Sequence, residues 1–324
     1  MTVMNMAQAI NMGLEQEMRR NPKVMILGED VGKDGGVFRV TDGLWAKFGD
    51  DRIVDTPLAE GGIIGASIGL AINGFRPVAE AQFDGFSLPM LDQLINHASR
   101  IRNRSRGRFT VPLVLRIPFG GGIRALEHHS DSPETHYIHT PGLIVVAPSS
   151  PYTAKGLIVS SLRQADPVIY LEPKRLYRSM KEDVPEEEYT IDLEKAQLVR
   201  EGDDITVISY GYMTKVVREA LEKMNNKYSV EVVDLLTLYP FDEKAILDSV
   251  KKTGRAVIVH EAHRTVGFGA EISAIINEKA LLSLKAPVVR VTGYDVITPL
   301  PKIENYYFPD ANKVINAIEQ TMSF

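Results

Sequence analysis

Short apolar runs alternate with longer helix-like segments through the first half of the chain. Such alternation is typical of parallel strands joined by crossover helices, and ligands then bind at the carboxyl ends of the strands. The pattern predicts strands at residues 23–31, 76–83, 111–119, 143–149 and 167–173. It predicts helices at residues 4–20, 61–73, 87–103 and 151–165. We therefore expect an α/β fold with its chemistry at one edge of a parallel sheet.

A charged stretch, KEDVPEEEYTIDLEKAQLVREGDD, interrupts this alternation at residues 181–204. Its composition is typical of a solvated connection between domains. A second alternating series follows, with strand-like runs at 205–211, 229–238 and 255–262 and helix-like runs at 212–224, 242–254 and 268–282. Since 324 residues exceed the size of one usual core, we expect a first domain at 1–185, a linker at 186–203 and a smaller α/β domain at 204–324.

The amino-acid composition of the chain argues against several classes of function. The chain has 44% hydrophobic and 24% charged residues, which is typical of a soluble globular protein. Its formal net charge of -5 argues against a general nucleic-acid binder, which needs a basic excess. There is no run of 18 apolar residues to span a bilayer, and the N-terminus lacks the apolar region of a secretion signal, so we expect a cytoplasmic protein. The absence of cysteine excludes disulfides, thiolate nucleophiles and zinc–thiolate sites.

One apolar segment is unusual because a single carboxylate stands just ahead of it. Residues 61–75, within DTPLAEGGIIGASIGLAINGF, contain no charge, and Glu60 precedes them. A helix that is apolar all round is expected to be buried on every side. Glu60 then either complements the positive end of the helix dipole or is held there to protonate a bound group.

Four of the seven histidines fall within twelve residues, in EHHSDSPETHYIH. They are His128, His129, His136 and His139. Imidazole is a good metal ligand, but no HExxH pattern is present and HHSDSPE has loop composition. Three interpretations stay open: a bound transition metal, loop histidines without a role, and one or two histidines that act as acid or base.

Three further motifs are candidate functional sites: two stand at the ends of predicted strands, and one is a row of arginines. Glycines 120–122 follow a predicted strand, where a backbone can approach a ligand closely, although a simple turn is favoured. Adjacent carboxylates, Glu29 and Asp30, stand where another strand ends, so Glu29 and Glu60 would share one rim of the sheet. Arginine occupies every second position from 100 to 108; the negative net charge favours a solvated or subunit-facing edge over a nucleic-acid site.

Several long motifs occur together and in order: GEDVGKDGGVF, DTPLAEGGIIGASIGLAINGFRPVAEAQF, PFGGG, HHSDSPE, PSSPYTAKGLI and DPVIYLEPKRLYRS. This combination resembles the beta subunit of the thiamine-diphosphate-dependent 2-oxo acid dehydrogenases, over essentially the whole chain. The resemblance implies a transketolase-like fold, with an N-terminal domain that binds the aminopyrimidine ring of the cofactor and a C-terminal domain that mainly supports assembly. It also implies an alpha2-beta2 heterotetramer. The GDG motif that holds the diphosphate and Mg²⁺ in the family is absent here, so the alpha subunit is expected to hold Mg²⁺.

The resemblance also implies roles for individual residues. Glu60 matches the family glutamate that hydrogen-bonds N1′ of the aminopyrimidine, a role that burial favours because it raises the pKa of a carboxyl group. Glu29 matches an acid near the pyrimidine that relays protons, and His129 matches the histidine that assists reductive acylation of the lipoyl group. Some members bind a potassium ion through carbonyl oxygens in the segment that contains Asp166, which makes that segment a candidate potassium site. The further cofactor-binding residues implied are Leu58, Gln82 and Phe86, with Phe86 stacking on the ring.

The implied reaction is decarboxylation of a 2-oxo acid, followed by transfer of the acyl group to lipoyllysine on a dihydrolipoyl acyltransferase. LEPKRLYRS and HHSDSPE look closer to branched-chain members, whereas FDGF is similar to pyruvate enzymes. Branched-chain 2-oxo acids are favoured on this basis, with a pyruvate or acetoin dehydrogenase as the alternative. Two other classes remain: a non-catalytic assembly subunit, and a histidine-based metallohydrolase.

Overall fold

The chain forms two compact units, each with its own sheet. The computed structural model describes residues 1–225 and 227–324. The first unit comprises Met1–Phe119 and His136–Leu193, and the second comprises Gly120–Thr135 and Glu194–Phe324. Residues 120–135 are therefore inserted in the sequence of the first unit but belong to the second.

The described strands, in chain order, are β1 (Thr2–Asn5), β2 (Val24–Gly28), β3 (Ile53–Asp55), β4 (Arg76–Glu80), β5 (Val114–Phe119), β6 (Ile144–Val146), β7 (Val168–Pro173), β8 (Lys181–Val184), β9 (Gln197–Arg200), β10 (Ile205–Ser209), β11 (Val230–Asp234), β12 (Thr237–Tyr239), β13 (Ala256–His263) and β14 (Val289–Gly293). The described helices are α1 (Met6–Arg20), α2 (Leu44–Phe48), α3 (Glu60–Ile72), α4 (Leu91–Gln93), α5 (Ile101–Arg104), α6 (Glu134–Ile138), α7 (Pro151–Leu162), α8 (Leu176–Ser179), α9 (Tyr212–Lys223), α10 (Glu243–Thr253), α11 (Phe268–Ala280), α12 (Glu304–Tyr307) and α13 (Ala311–Met322). In this part of the chain, none of the helices combines the length and the apolar character needed to cross a membrane.

Six parallel strands form the main sheet of the first unit, and β1 and β8 pair separately as a two-stranded antiparallel sheet. The order of the six strands across the main sheet is β6, β7, β5, β4, β2, β3. Strands β2, β5 and β7 are buried along their whole length, as expected for parallel strands that are covered on both faces. Because all six strands run in the same direction, the residues that follow β2, β3 and β4 emerge at one edge of the sheet.

A buried ion network links three neighbouring strands of this sheet. The side chain of Arg116 on β5 is 1% exposed. Its Nε and Nη2 donate to the two carboxylate oxygens of Glu172 on β7, at 2.6 and 2.9 Å, and its Nη1 donates to Glu80 on β4. The hydroxyl of Tyr177 also donates to Glu172. The network supplies the partners that buried charges need.

Helices α1 and α7 pack closely against each other. Each begins with a capping box, formed by Asn5 with Gln8 and by Ser150 with Thr153, which satisfies N–H groups of the first turn. Gly13 on α1 permits the close approach, because a Cβ at this position would lie 2.6 Å from Cγ2 of Ile158 on α7. The N-terminal helix is thereby fixed to the first unit.

The sheet of the second unit has five strands within the described residues. Their order is β14, β13, β10, β11, β9, and β9 alone among them is antiparallel to its neighbour. On one face, Val207 and Val257 of the sheet pack with Val217 of α9 and Val314 of α13. Strand β9 lies inside residues 186–203, so part of the segment expected to be a linker is a sheet strand.

Helix α3 differs from the sequence prediction. It begins at Glu60 and packs on β4 and on the turn Asp84–Met90. Its buried residues are Ile63, Ile64, Ser67, Ile68 and Ala71. Its exposed residues include Gly62, Ala66 and Gly69. The prediction that this helix is buried on every side is therefore wrong for this chain, because only one face packs against the first unit.

Residues 87–103 also differ from the sequence prediction of one helix. The structure divides the region into a 3₁₀ turn at Asp84–Met90, α4, a π turn at Leu94–Ala98 and α5. Pro89 lies inside the first of these turns. Because proline has no backbone N–H, it cannot take part in a continuous α-helical hydrogen-bond ladder.

Candidate active site

Five residues that the sequence singles out follow three neighbouring parallel strands. Glu29 directly follows β2, Leu58 and Glu60 follow β3, and Gln82 and Phe86 follow β4. Strand β2 pairs in parallel with both β3 and β4. The topology therefore brings all five residues to the sheet edge at which ligands bind in open α/β folds.

Glu29 is a buried carboxyl group, 6% exposed. Burial raises the pKa of Glu29, and the negative charges of Glu60 and Asp30 raise it further. Glu29 and Glu60 therefore lie close enough for the charge of one to affect the ionisation of the other. A raised pKa is the direction of shift that proton transfer by a carboxyl group requires.

Glu60 is half-buried and occupies the first position of α3. The residue before it, Ala59, provides no side-chain hydrogen bond to the helix. The carboxylate of Glu60 therefore supplies the negative charge that a helix N-terminus favours. Its remaining exposure leaves it accessible to a ligand, so its position agrees with both roles considered from the sequence.

Gln82 and Phe86 are positioned by neighbours in the first unit. The amide Nε2 of Gln82 donates to Oδ2 of Asp30 at 2.9 Å. Asp30 has a φ of 58°, in the left-handed region, directly after Glu29. The ring of Phe86 is half-buried and meets the ring of Phe83 edge to face, with centroids 6.1 Å apart.

Leu58 lies in the loop between β3 and α3 and is 80% exposed. Together with the exposed face of α3, it gives the first unit an apolar surface next to Glu60 in the sequence. Exposed apolar surface of this kind marks a place for a ligand or for another chain.

Sequence reasoning missed a buried ion pair in the turn that carries Phe86. Lys174, which follows β7, pairs with Asp84, and both side chains are 0% exposed. The Nζ of Lys174 also lies 5.5 Å from the ring centroid of Phe83. The pair thus fixes the turn that carries Phe86. Both residues lie in quoted motifs, DPVIYLEPKRLYRS and FDGF, but they are 90 positions apart and no spacing rule connects them.

His129 lies in the second unit, on the inserted residues 120–135. It is half-buried at the end of the short turn Glu127–His129, and its backbone N–H donates to the carbonyl of Leu126 at 2.9 Å. The other three clustered histidines, His128, His136 and His139, are exposed. Over residues 1–225 and 227–324, no group of three or more His, Cys, Asp and Glu side chains is arranged to hold a metal ion.

The segment that contains Asp166 is held by arginine side chains. Arg102 Nε donates to Asp166 Oδ1 at 2.6 Å. Arg76 Nη1 donates to the carbonyl oxygens of Leu162 and Gln164, each at 2.8 Å. Cationic partners from the chain itself already occupy these oxygens, so the geometry gives no separate support for a potassium ion.

Comparisons with known proteins match each part of the chain to a domain family. The family described as the pyrimidine-binding domain of transketolase matches residues 2–180, and the C-terminal domain of transketolase matches residues 194–314. The beta subunit of the pyruvate dehydrogenase E1 component from Staphylococcus aureus is 50% identical over 325 residues, covering 100% of both chains. The corresponding subunit from Acholeplasma laidlawii is 49% identical over 315 residues, covering 97% of this chain and 96% of the relative.

A solved structure supports the fold independently. The inactive beta4 tetramer of a split-gene transketolase superimposes with a TM-score of 0.79, covering 99% of this chain and 98% of that chain at 20% identity. The transketolase-like fold expected from the sequence is thereby confirmed. With the full-length relatives, these matches establish that the chain belongs to the thiamine-diphosphate-dependent 2-oxo acid dehydrogenases, a family of oxidoreductases, as a beta subunit.

Proposed function

We propose that this chain is the beta subunit of a pyruvate dehydrogenase E1 component. The enzyme decarboxylates pyruvate and passes the acyl group to lipoyllysine of a dihydrolipoyl acyltransferase. The proposal is supported by two relatives at about half identity that carry this name and align over nearly their whole length. The branched-chain preference suggested by LEPKRLYRS and HHSDSPE has no support from these relatives, so we favour pyruvate.

The observation that carries the proposal is the carboxyl pair of Glu29 and Glu60 at the ends of neighbouring parallel strands. Burial and the charge of Glu60 both raise the pKa of Glu29, and Phe86 offers a half-buried aromatic ring at the same sheet edge. Carboxyl groups that hydrogen-bond ring nitrogens and a ring that can stack suit an aminopyrimidine. The residues present therefore fit this part of thiamine diphosphate.

Each residue has a defined task in this proposal. Thiamine diphosphate, when bound, supplies a nucleophilic carbon and an electron sink for the loss of CO₂. Glu60 holds a proton at the pyrimidine ring nitrogen N1′ and so selects the tautomer of the ring. Glu29, whose pKa is raised by burial and by the charge of Glu60, relays protons near the ring. Phe86 and Leu58 give apolar surface to the ring, and Gln82 is oriented by its hydrogen bond to Asp30.

The chain needs an alpha partner in this proposal. No GDG motif occurs in the sequence, so the diphosphate and Mg²⁺ are held by the alpha subunit in an alpha2-beta2 heterotetramer. Residues 1–185 supply the pyrimidine site, and residues 204–324, joined through 186–203, support assembly. The exposed apolar face of α3 agrees with a surface that another subunit covers. His129 assists the transfer of the acyl group to the lipoyl group.

A panel of 2-oxo acids tests the proposal. The chain is combined with its alpha partner, thiamine diphosphate and Mg²⁺, and kcat/KM is measured for pyruvate, three branched-chain 2-oxo acids and 2-oxoglutarate. We expect pyruvate to have the highest value and the chain without its partner to be inactive. A higher kcat/KM for the branched-chain acids would show that they, and not pyruvate, are the substrates. Full activity of the isolated chain would overturn the proposal that the site is shared with an alpha subunit.

A further inference from the structure

Two of the three glycines after β5, together with Arg124, direct backbone N–H groups at two carboxylates of the same unit. The N–H of Gly121 donates to Oε1 of Glu261 at 2.5 Å. The N–H of Gly122 donates to one oxygen of Glu304, and the N–H of Arg124 donates to the other at 3.1 Å. Glu261 is 6% exposed and Glu304 is 1% exposed. Converging backbone N–H groups form an anion-binding concavity, and in this loop the anion is supplied by the protein itself.

The hydrogen bonds of this loop to Glu261 and Glu304 require glycine at positions 120–122. Gly120 and Gly122 have φ values of 80° and 81°, a region that favours glycine. A Cβ on Gly121 would overlap the ring of Phe308. The GGG motif is therefore explained by its contact with Glu261, Glu304 and Phe308, without an external phosphate.

The far end of the same insertion is also anchored in the second unit. The hydroxyl of Thr298 donates to the carbonyl of Ser130 at 3.4 Å, and the hydroxyl of Tyr210 donates to Oε1 of Glu134 at 2.5 Å. The backbone N–H of Gly120 donates to the carbonyl of Asp131 at 2.8 Å and closes the loop. The segment between the two anchors, residues 125–129, contains the short turn Glu127–His129.

We propose that Glu261 and Glu304 are positioning residues for His129. This inference rests on the role proposed for His129 in acyl transfer. Hydrogen bonds to a carboxylate are about twice as strong as bonds between neutral groups. Each carboxylate oxygen of Glu304 accepts a hydrogen bond from a backbone N–H. In a glutamine the amide NH₂ would replace one of these oxygens, so two donors would face each other and one hydrogen bond would be lost. Glu261 accepts the backbone N–H of Gly121, and a neutral glutamine there would accept it in a weaker bond. Docking of the loop thus depends on both carboxylates.

The test measures two activities of the holoenzyme assembled with its alpha partner. Reductive acylation of a lipoyl domain and decarboxylation with an artificial electron acceptor are compared for Glu304→Gln, Glu261→Gln and wild type. For Glu304→Gln we expect kcat/KM for the lipoyl domain to fall about tenfold, the scale of one hydrogen bond to a charged group, with decarboxylation changed less than about twofold. For Glu261→Gln we also expect a loss of acyl transfer. Glu243→Gln, which alters an exposed ion pair with Lys279, serves as the control and leaves both activities unchanged.

His129→Ala and the double variant with Glu304→Gln separate this inference from the proposed function. If the carboxylate acts through His129, the double variant loses no more acyl transfer than His129→Ala alone. Equal losses of both activities in Glu304→Gln, or additive losses in the double variant, would overturn the positioning role. Normal acyl transfer in His129→Ala would instead overturn the role of His129 itself.

A milder variant covers the case in which Glu304→Gln does not assemble. Thr298→Val removes a hydroxyl that anchors the opposite end of the loop. We expect about a threefold loss of acyl transfer from it, the scale of one neutral hydrogen bond, with normal assembly and decarboxylation. An unchanged acyl transfer in Thr298→Val would contradict the view that the anchors of the loop position His129.

Discussion

At the scale of single residues, Glu60 combines two properties of its position. It is the first residue of α3, where its charge stabilises the helix, and it lies close enough to Glu29 to raise the pKa of that group. A helix-end charge is worth only about 0.3 to 1 kcal/mol at an exposed site. Proton transfer by a positioned group contributes about a hundredfold or more to the rate. The two roles can therefore be separated by the size of the effect on turnover.

Glu60→Gln keeps the shape of the side chain but removes the proton that it can hold. We expect the assembled enzyme to remain intact while turnover falls at least about a hundredfold. Glu271→Gln is the matched control, because Glu271 is also an acid in the first turn of a helix, α11. Similar small effects of both variants on steady-state turnover would show that Glu60 acts through the helix dipole alone.

Glu134 gives a second residue-scale prediction. Burial raises the pKa of Glu134 to about 7, above the ordinary value of 4.5. An acid whose pKa is higher in the folded state binds a proton more tightly there, so its contribution to stability is complete below pH 4.5 and is lost as the pH rises to 7. At about 1.4 kcal/mol per pKa unit, the loss reaches about 3 kcal/mol.

Glu134→Gln should remove this pH dependence while its carbonyl still accepts from Tyr210. We expect the free energy of unfolding of the variant, relative to wild type, to be higher by about 3 kcal/mol at pH 8 than at pH 4.5. Urea denaturation at the two pH values measures this difference. The titration of His260, whose pKa burial lowers to about 4, cancels because both proteins contain it. Parallel stability curves would show that Glu134 has an ordinary pKa in the folded protein.

At the scale of elements, Arg116 connects β4, β5 and β7 through Glu80 and Glu172. Replacing it with methionine leaves two buried carboxyl groups without their cation. We expect Arg116→Met to destabilise the chain by about 3 to 5 kcal/mol, the range for breaking a buried pair. Arg102→Gln, which removes an exposed pair with Asp166, should cost less than about 1 kcal/mol. Equal midpoints of thermal unfolding for the two variants would contradict this difference.

The elements show how far sequence patterns reach. Alternation of apolar and amphipathic runs predicted β2, β4, β5, β6 and β7 of the first sheet and β10, β11 and β13 of the second, because parallel strands such as β5 and β7 are buried throughout and are recognisable as continuous apolar runs. It did not predict β3, β9 or β14. The same reasoning gave one helix for residues 87–103, where Pro89 and local 3₁₀ and π turns divide the region. Apolar character alone also could not tell that α3 packs through a single face.

The site shows the same limit. Glu29 could be found because it stands where a predicted strand ends, and Glu60 because it is the single carboxylate ahead of an uncharged helix. Gln82 was reached only through the family resemblance, and the observed strand order brings the three residues to one sheet edge. The pair of Asp84 and Lys174 could not be found, because it joins residues 90 positions apart and depends on the tertiary fold. Similarly, no local pattern connects the three glycines to Glu261, which follows 140 positions later.

At the scale of the whole molecule, the exposed face of α3 predicts dependence on another chain. Ala66 lies on this face, within an apolar helix next to the proposed cofactor site. A charge at this position would have to be desolvated when a subunit covers the face. Ala66→Asp should therefore leave the isolated chain folded but prevent most of the heterotetramer from forming, as measured by light scattering after size-exclusion chromatography. Ala46→Asp, on exposed helix α2 of the same unit, is the control that should assemble normally.

The inserted residues 120–135 affect whether the C-terminal part of the chain can be expressed as a separate fragment. A fragment that begins at residue 194 contains Glu261 and Glu304 but lacks the glycine amides that neutralise them. Two buried carboxylates would then lose the backbone N–H donors of this loop, a loss that folding disfavours. Expression of the C-terminal half alone is thus expected to yield a poorly folded polypeptide, and co-expression with residues 1–193 is expected to restore it. Each unit of this chain has its own core, but the C-terminal part is not expected to fold without the inserted loop.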